Sequence, residues 1–88
     1  MTIEVNKKFL KGLARIPIVD RQKIEKFVFE ESKNIETIEL AGIFEKMKGY
    51  QNYYRARFGS YRVGVSYQSG TLVFERVLHR NKIYRFFP

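Results

Sequence analysis

Residues 54–63 read Tyr-Arg-Ala-Arg-Phe-Gly-Ser-Tyr-Arg-Val, which are two alternating strand patterns that meet at a Gly-Ser pair. A two-residue connection of this kind predicts a tight β-hairpin. If Phe58 pairs with Tyr61 across the turn, Arg57 lies directly opposite Arg62 on one face of the sheet. Like charges opposite each other destabilise a sheet. The pattern therefore indicates either a well-solvated surface or a site that binds an anion.

The net charge of +8 is carried by one half of the 88-residue chain. Residues 1–45 contain eight basic and eight acidic residues, whereas residues 46–88 contain nine basic residues and a single acid, Glu75. A one-sided excess of this size favours a polyanion such as nucleic acid as the partner. A general solubility bias, or a surface that docks an acidic protein, is the alternative interpretation.

Length and composition limit the class of protein. Eighty-eight residues with 44% hydrophobic content are enough for one small domain, which we expect to span residues 1–88. The absence of cysteine excludes a disulfide framework and cysteine-based zinc sites. No run approaches the ~20 apolar residues of a membrane span, and the N-terminus lacks the layout of a signal peptide. We therefore expect a cytoplasmic protein with no membrane partner.

The first third of the chain predicts a strand followed by two helices. Residues 2–5 are β-prone, and Asn6 suits the N-cap of a helix. Pro17 separates the two helices, and Asp20 lies where a negative charge favours the start of the second. The apolar positions expected to face a sheet follow helical spacing: Phe9, Leu10, Leu13 and Ala14, then Ile24, Phe27 and Val28.

The remainder predicts strands at residues 43–47, 53–58, 61–67, 71–78 and 83–87, with no clean period in residues 35–50 as a whole. The expected fold is α+β: a short N-terminal strand, and a two-helix hairpin packed on one face of an antiparallel three- to four-stranded meander sheet. We expect no helix after the last strand. The opposite face of the sheet then carries an arginine surface with a tyrosine at its edge, made of Arg55, Arg57, Arg62, Arg80 and Tyr84.

Features that are absent narrow the chemistry of this surface. A paired-histidine ribonuclease is excluded because His79 is the only histidine, and the basic half holds no pair of carboxylates. No glycine-rich phosphate loop is present. What remains is either plain binding or metal-free RNA cleavage by the 2′-hydroxyl of the RNA, with arginines gripping the phosphate. Proton transfer would then use Tyr84 or His79, although a lone histidine on a strand is more often structural.

Three segments together resemble the RelE/ParE superfamily of toxins from bacterial and archaeal type II toxin–antitoxin pairs, closer to the RelE branch. They are residues 46–49 (Lys-Met-Lys-Gly), 54–63, and 77–84 (Val-Leu-His-Arg-Asn-Lys-Ile-Tyr). The resemblance covers nearly the whole chain. It implies a ribosome-dependent endoribonuclease that cleaves messenger RNA in the A site. It also implies three partners: a cognate antitoxin in a heteromeric complex, mRNA, and the 16S rRNA of the ribosome.

The resemblance also implies roles for individual residues. Arg62 matches the phosphate-gripping arginine, Arg80 the later arginine that stabilises the transition state or leaving group, and Tyr84 the tyrosine near the C-terminus. Arg55 and Arg57 stand where the best-known RelE toxins carry lysines, and arginine cannot act as a general base. The expected catalytic set is Arg62, Arg80, Tyr84 and His79. The expected RNA-binding set is Arg55, Arg57, Lys46 and Lys48, and no metal or cofactor is expected.

Two other functions stay open at this point. A ParE-like inhibitor of DNA gyrase would act by protein binding and would need no set of catalytic arginines. A non-catalytic basic module would bind RNA without cutting it.

Overall fold

The computed structural model describes residues 1–39 and 41–88. It begins with strand β1 (Thr2–Val5), helices α1 (Lys7–Ala14) and α2 (Ile18–Phe29), and a 3₁₀ turn (Glu31–Asn34). Four strands follow: β2 (Phe44–Lys46), β3 (Tyr53–Phe58), β4 (Tyr61–Gln68) and β5 (Thr71–His79). The chain then forms a short helix, α3 (Ile83–Phe86). Leu40, which belonged to the segment without a clean period, lies outside the described residues.

The sheet has five strands in the order β1-β5-β4-β3-β2. Strands β2 to β5 form the antiparallel meander that the sequence predicts. The meander has four strands, where three or four were predicted. The α+β prediction is confirmed. One addition was not foreseen: β1 pairs with β5 in parallel, which makes the sheet mixed. Parallel neighbours need a long connection, and everything between β1 and β5 supplies it.

Helix α1 begins as predicted but buries a narrower apolar face than predicted. The Asn6 side-chain oxygen accepts a hydrogen bond of 2.9 Å from the Phe9 amide, which caps the first turn. Phe9 and Leu13, four residues apart, are buried against the sheet. Leu10 is 46% exposed and Ala14 is also exposed, so the expected four-residue apolar face is only two residues wide.

Helix α2 follows the prediction closely. Pro17 is its N-cap, Asp20 lies in its first turn, and Ile24, Phe27 and Val28 are all buried. The Phe27 ring centroid lies 6.0 Å from that of Phe74. Strand β5, which supplies Phe74, thus carries the centre of the core under both helices.

A β-bulge in β5 changes which side chains face the helices. Val63 pairs with Val77 and Gly64 with Arg76, but Val65 pairs with Phe74, so Glu75 is an extra residue. An extra residue shifts the alternation of a strand by one position. Before the bulge, Phe74 faces the helices, and after it Val77 does. Odd-numbered residues after the bulge therefore lie on the helix side, and even-numbered ones lie on the outer face.

The last segment is a correction to the sequence analysis. Residues 83–87 were expected to form a strand with no helix after it, but Ile83–Phe86 is one helical turn. Ile83 and Phe87 are buried on the outer face of the sheet with Met47, and Tyr53 and Leu78 pack against them. Two residues four positions apart, such as Ile83 and Phe87, lie on the same side of either a strand or a helix. The spacing of apolar residues therefore does not distinguish a strand from a helix here.

Candidate functional site: an arginine surface on the outer face

The hairpin of β3 and β4 has the predicted register. Phe58 pairs with Tyr61, and Arg57 pairs with Arg62. Gly59 takes a φ of 58°, the left-handed value that a glycine at the first turn position accepts without strain. The turn thereby fixes two guanidinium groups opposite each other on the outer face of the sheet.

Arg62 is the most constrained of the arginines. Its guanidinium donates hydrogen bonds to the carbonyl oxygens of Gly59, at 2.7 Å, and Tyr61, at 2.9 Å. Partial burial, followed by the positive charges of Arg57, Arg80 and Arg55, lowers the pKa of Arg62 below its ordinary value. An arginine stays charged in spite of such a shift. A crowded cation of this kind is stabilised when an anion binds beside it.

Arg80 reaches this surface because of the bulge. Its backbone amide donates a 2.8 Å hydrogen bond to the carbonyl of Ser60, which holds the segment after β5 against the hairpin turn. Its side chain is exposed, and its positive charge is one of the three that lower the pKa of Arg62, after Arg57 and before Arg55 in the size of the effect. Arg55, Arg57, Arg62 and Arg80 are named the arginine surface from here on.

One carboxylate lies within the arginine surface, and the sequence analysis missed it. Glu45 on β2 pairs with Arg55 on β3. The Glu45 carboxylate accepts a 2.8 Å hydrogen bond from Arg55 and lies 3.7 Å from Arg57. The hydrogen bond and charge of Arg55, and then the charges of Arg57 and Arg62, hold the pKa of Glu45 below its usual value. Glu45 directly precedes the Lys-Met-Lys-Gly segment, and this position could have indicated a place in the site. The count of charges instead assigned Glu45 to residues 1–45, in which basic and acidic residues balance.

Tyr84 covers one edge of the arginine surface. The Arg55 guanidinium carbon lies 5.2 Å from the centre of the Tyr84 ring, which is a cation–π contact. The Tyr84 side chain is exposed at the mouth of a pocket of about 430 Å³. Lys46 and Lys48 line this pocket with Glu45 and Arg55. Neither lysine pairs with an arginine, because Lys46 lies opposite Tyr54 in the β2–β3 register and Lys48 follows the end of β2.

Helix α3 positions Tyr84 by packing on a glycine. A Cβ atom added at Gly64 would come within 2.6 Å of the Phe87 ring. That ring also makes an edge contact with Tyr53, with the ring centroids 5.4 Å apart. The close approach of Phe87 to the strand is possible because position 64 has no side chain.

His79 does not belong to this site, contrary to the sequence analysis. It pairs with Tyr61, whose side chain packs against the helix-side core, and the two rings lie 5.6 Å apart edge to face. Paired residues share a face of the sheet, so His79 lies on the helix side. The bulge is the physical reason, since a regular strand would have put His79 beside Arg62.

Two searches of the described residues are negative. No group of three or more His, Cys, Asp or Glu side chains in residues 1–39 and 41–88 is arranged to hold a metal ion. No helix in the same residues has both the length and the apolar content needed to cross a bilayer.

Comparisons with known proteins agree with the fold. The chain is 42% identical over 89 residues to Toxin RelE3 of Methanocaldococcus jannaschii, with 100% of both proteins covered. It superposes on a chain of the RelB-RelE antitoxin-toxin complex from Methanococcus jannaschii with a TM-score of 0.79 and 40% identity, covering 97% of this chain and 99% of that one. A chain of the RelBE2 toxin-antitoxin complex from Mycobacterium tuberculosis gives a TM-score of 0.71 at 21% identity, covering 90% and 96%. A scan against models of protein families gives no match.

A helical hairpin on a mixed sheet is thus the fold of chains found in toxin-antitoxin complexes. The 42% identity to Toxin RelE3, which extends over the full length of both proteins, then makes the assignment specific. The chain belongs to the RelE toxin family. The family resemblance seen in the sequence is confirmed.

Proposed function

We propose that this chain is the toxin of a type II toxin–antitoxin pair and an endoribonuclease that cuts messenger RNA. The observation that carries the proposal is the arginine surface, with four guanidinium groups, one carboxylate and an exposed tyrosine on an open face. Membership of the RelE family supports mRNA cleavage as its activity in general. A cognate antitoxin in a heteromeric complex is the proposed regulator, because the solved relatives include complexes with RelB.

The open shape of the site favours cleavage on the ribosome. The Arg57 side chain is 63% exposed, and the pocket beside Tyr84 opens to solvent. A surface of this kind holds phosphates but does not itself bend an RNA strand into the in-line geometry that 2′-hydroxyl attack requires. We propose that the ribosomal A site supplies this geometry, which places the enzyme in the cytoplasm. Nothing observed favours gyrase inhibition.

In the proposed reaction, Arg62 grips the scissile phosphate, because its fixed hydrogen bonds hold its guanidinium in place before RNA arrives. Arg80 stabilises the charge that develops on the phosphate or the leaving oxygen. Arg55 and Arg57 bind neighbouring phosphates, together with Lys46 and Lys48. The ring of Tyr84 offers a surface on which a base stacks. No metal takes part, and the 2′-oxygen displaces the 5′-oxygen to give a 2′,3′-cyclic phosphate.

Proton removal from the 2′-hydroxyl needs a base, and His79 is on the wrong face for it. Glu45 is the carboxylate that lies among the arginines. Its lowered pKa makes it a weak base in the free protein. An incoming phosphate competes for Arg55 and adds negative charge beside Glu45, and both effects raise the pKa of this carboxylate. We therefore assign proton acceptance to Glu45 and leave Tyr84 to stack and to donate a proton.

The function is tested by mapping RNA 5′ ends after adding the protein to a translating extract and, separately, to the same messages without ribosomes. We expect cuts inside codons of translated messages, with the 5′-hydroxyl ends that attack by the 2′-hydroxyl leaves. Cutting that is equal without ribosomes would contradict ribosome dependence. Intact messages together with stalled DNA replication would instead support gyrase as the target.

Glu45→Gln should separate binding from chemistry. Loss of the carboxylate frees Arg55 and Arg57, so the affinity for a non-cleavable RNA should rise several-fold. The cleavage rate should fall by about 10²–10³, within the range for loss of a general base. Single-turnover kinetics and equilibrium binding measure the two effects. Glu25→Gln is the matched control, because Glu25 also pairs with an arginine, Arg21, but on α2. An unchanged rate in Glu45→Gln would remove Glu45 from the reaction.

A further inference from the structure

A second cluster of cations lies on the helix side of the sheet, away from the arginine surface. It surrounds a pocket of about 380 Å³ between α1 and the second half of β5. Nearly all of the polar residues that line it are basic: Lys8, Lys11, Arg15, His79 and Lys82, together with Arg76, which pairs with Gly64 and so belongs to the outer face at this point of β5. These residues are named the helix-side pocket. The mechanism proposed above uses none of them.

The cations of the helix-side pocket are not neutralised within the described part of the chain. None of its lysines or arginines has an ion pair there, whereas Arg55 and Arg57 share Glu45. The Arg76 guanidinium carbon lies 5.5 Å from the centre of the Phe86 ring, which carries no charge. The carboxylate of Glu75 lines an adjoining cavity with Lys8 and Arg76 but does not line this pocket. Several cations around one pocket without a counter-ion form a site for an external anion.

The pocket exists because α1 lies very close to β5. A Cβ atom at Gly12 would stand 2.7 Å from the Val77 carbonyl oxygen, so the helix rests directly on the strand. The positions one turn to either side, Lys8 and Arg15, and the neighbouring Lys11 then project along the strand from α1. His79 and Tyr61 form the floor, with an imidazole and a phenol that can both hydrogen-bond to an anion.

The two basic sites meet at the turn after β5. The Lys82 amide donates a 2.8 Å hydrogen bond to the His79 carbonyl, which closes a tight turn. Arg80 in this turn belongs to the arginine surface, and Lys82 lines the helix-side pocket. A polyanion that leaves the arginine surface at Arg80 therefore reaches the second site by passing round one end of the sheet.

We propose that the helix-side pocket binds phosphodiester groups of RNA outside the cleavage site, so that one RNA, or one RNA assembly, contacts both sides of the sheet. This inference rests on the proposed function, because it takes RNA as the substrate. An acidic protein is the less favoured occupant. Protein interfaces are built around apolar and aromatic anchors, and the exposed apolar side chains Leu10, Ile18 and Phe29 lie on the helices outside this pocket.

The test compares two lengths of non-cleavable 2′-O-methyl RNA, a tetranucleotide and a 20-mer, by fluorescence anisotropy at several salt concentrations. The variant is Lys11→Ala with Arg15→Ala, and its matched control is Lys23→Ala with Lys26→Ala, which removes two exposed charges from α2. We expect the first variant to bind the 20-mer about tenfold more weakly and to bind the tetranucleotide as wild type does. The salt slope for the 20-mer should fall by about 1.4, the value for two single-strand phosphate contacts.

Each other outcome overturns the proposal in a distinct way. Equal losses for both lengths would make the pocket part of the cleavage site. Affinities that match the control double variant would show that it does not bind RNA. A loss of binding to poly-glutamate alone would indicate an acidic protein as its occupant. Arg57→Ala separates this proposal from the proposed function, because it should weaken the tetranucleotide. If it does not, the arginine surface itself fails as an RNA site.

Discussion

Replacement of Arg62 by alanine is expected to abolish growth arrest and to lower the single-turnover rate of mRNA cleavage by about 10²–10³, the typical cost of losing one preorganised donor at a developing charge. The physical reason is that Arg62 is held by two backbone carbonyls before RNA binds, so its guanidinium spends little entropy when it grips the phosphate. Cleavage of a reporter message in a translating extract measures the effect.

The control for this variant must separate loss of chemistry from loss of folding. Arg21→Ala removes the same charge from α2, where Arg21 lies 4.0 Å from the Glu25 carboxylate and donates a 3.3 Å hydrogen bond to the Ala14 carbonyl. This variant should cleave as wild type does. The thermal unfolding midpoint of Arg62→Ala should lie within a few degrees of the wild-type value. A variant that is folded and still fully toxic would exclude Arg62 from the reaction. Arg80→Ala and Tyr84→Phe should give smaller losses in the same assay.

Gly64→Ala is expected to lower the cleavage rate by roughly 10², although residue 64 touches no RNA in the proposed mechanism. The added Cβ would collide with the Phe87 ring, which must leave the sheet and take α3 and Tyr84 with it. Displacement of a binding group by about 1 Å has a cost of this order. The helix-side core is untouched, but the exposure of Ile83 and Phe87 should lower the free energy of unfolding by about 3 kcal/mol, and carboxypeptidase should remove the C-terminus faster.

A double-mutant cycle tests the cause of that loss. Phe87→Ala removes the ring that collides and also undocks α3, so Gly64→Ala should have little further effect in its presence. Ser66→Ala on the same strand is the control for a substitution in β4. Additive losses from Gly64→Ala and Phe87→Ala would mean that Gly64 acts on β4 itself rather than through the helix.

The hairpin was predictable because its turn is two residues long, which leaves one register and one facing of the arginines. The helices were predictable from Asn6, Pro17 and their buried periodic positions. Glu45 was missed because its partner is fixed by the pairing of β2 with β3, and no count of charges along the chain contains that pairing. Likewise, the sequence predicts a strand where α3 forms, because Ile83 and Phe87 satisfy the periods of both a strand and a helix.

The error over His79 has a different origin. Residues 71–78 have the pattern of one nearly continuous apolar strand that is broken by Glu75 and Arg76. In a regular strand, successive side chains are assigned to alternate faces of the sheet. One unpaired residue reverses the face that this alternation assigns to every later residue of the strand, and nothing local in the sequence marks the position of the bulge. The sequence analysis assigns both Arg80 and His79 to the site, although neighbouring residues of a strand point to opposite faces, and the bulge decides in favour of Arg80.

That single extra residue makes β5 tolerant of a change in its length. Because Glu75 has no partner in β4, deletion of residue 75 would leave Val77 opposite Val63 and His79 opposite Tyr61, with every side chain beyond the bulge on its present face. The strand order, the hairpin and the core would need no redesign. A protein built on this scaffold can therefore gain or lose one residue at this place in evolution without moving the side chains that form the arginine surface.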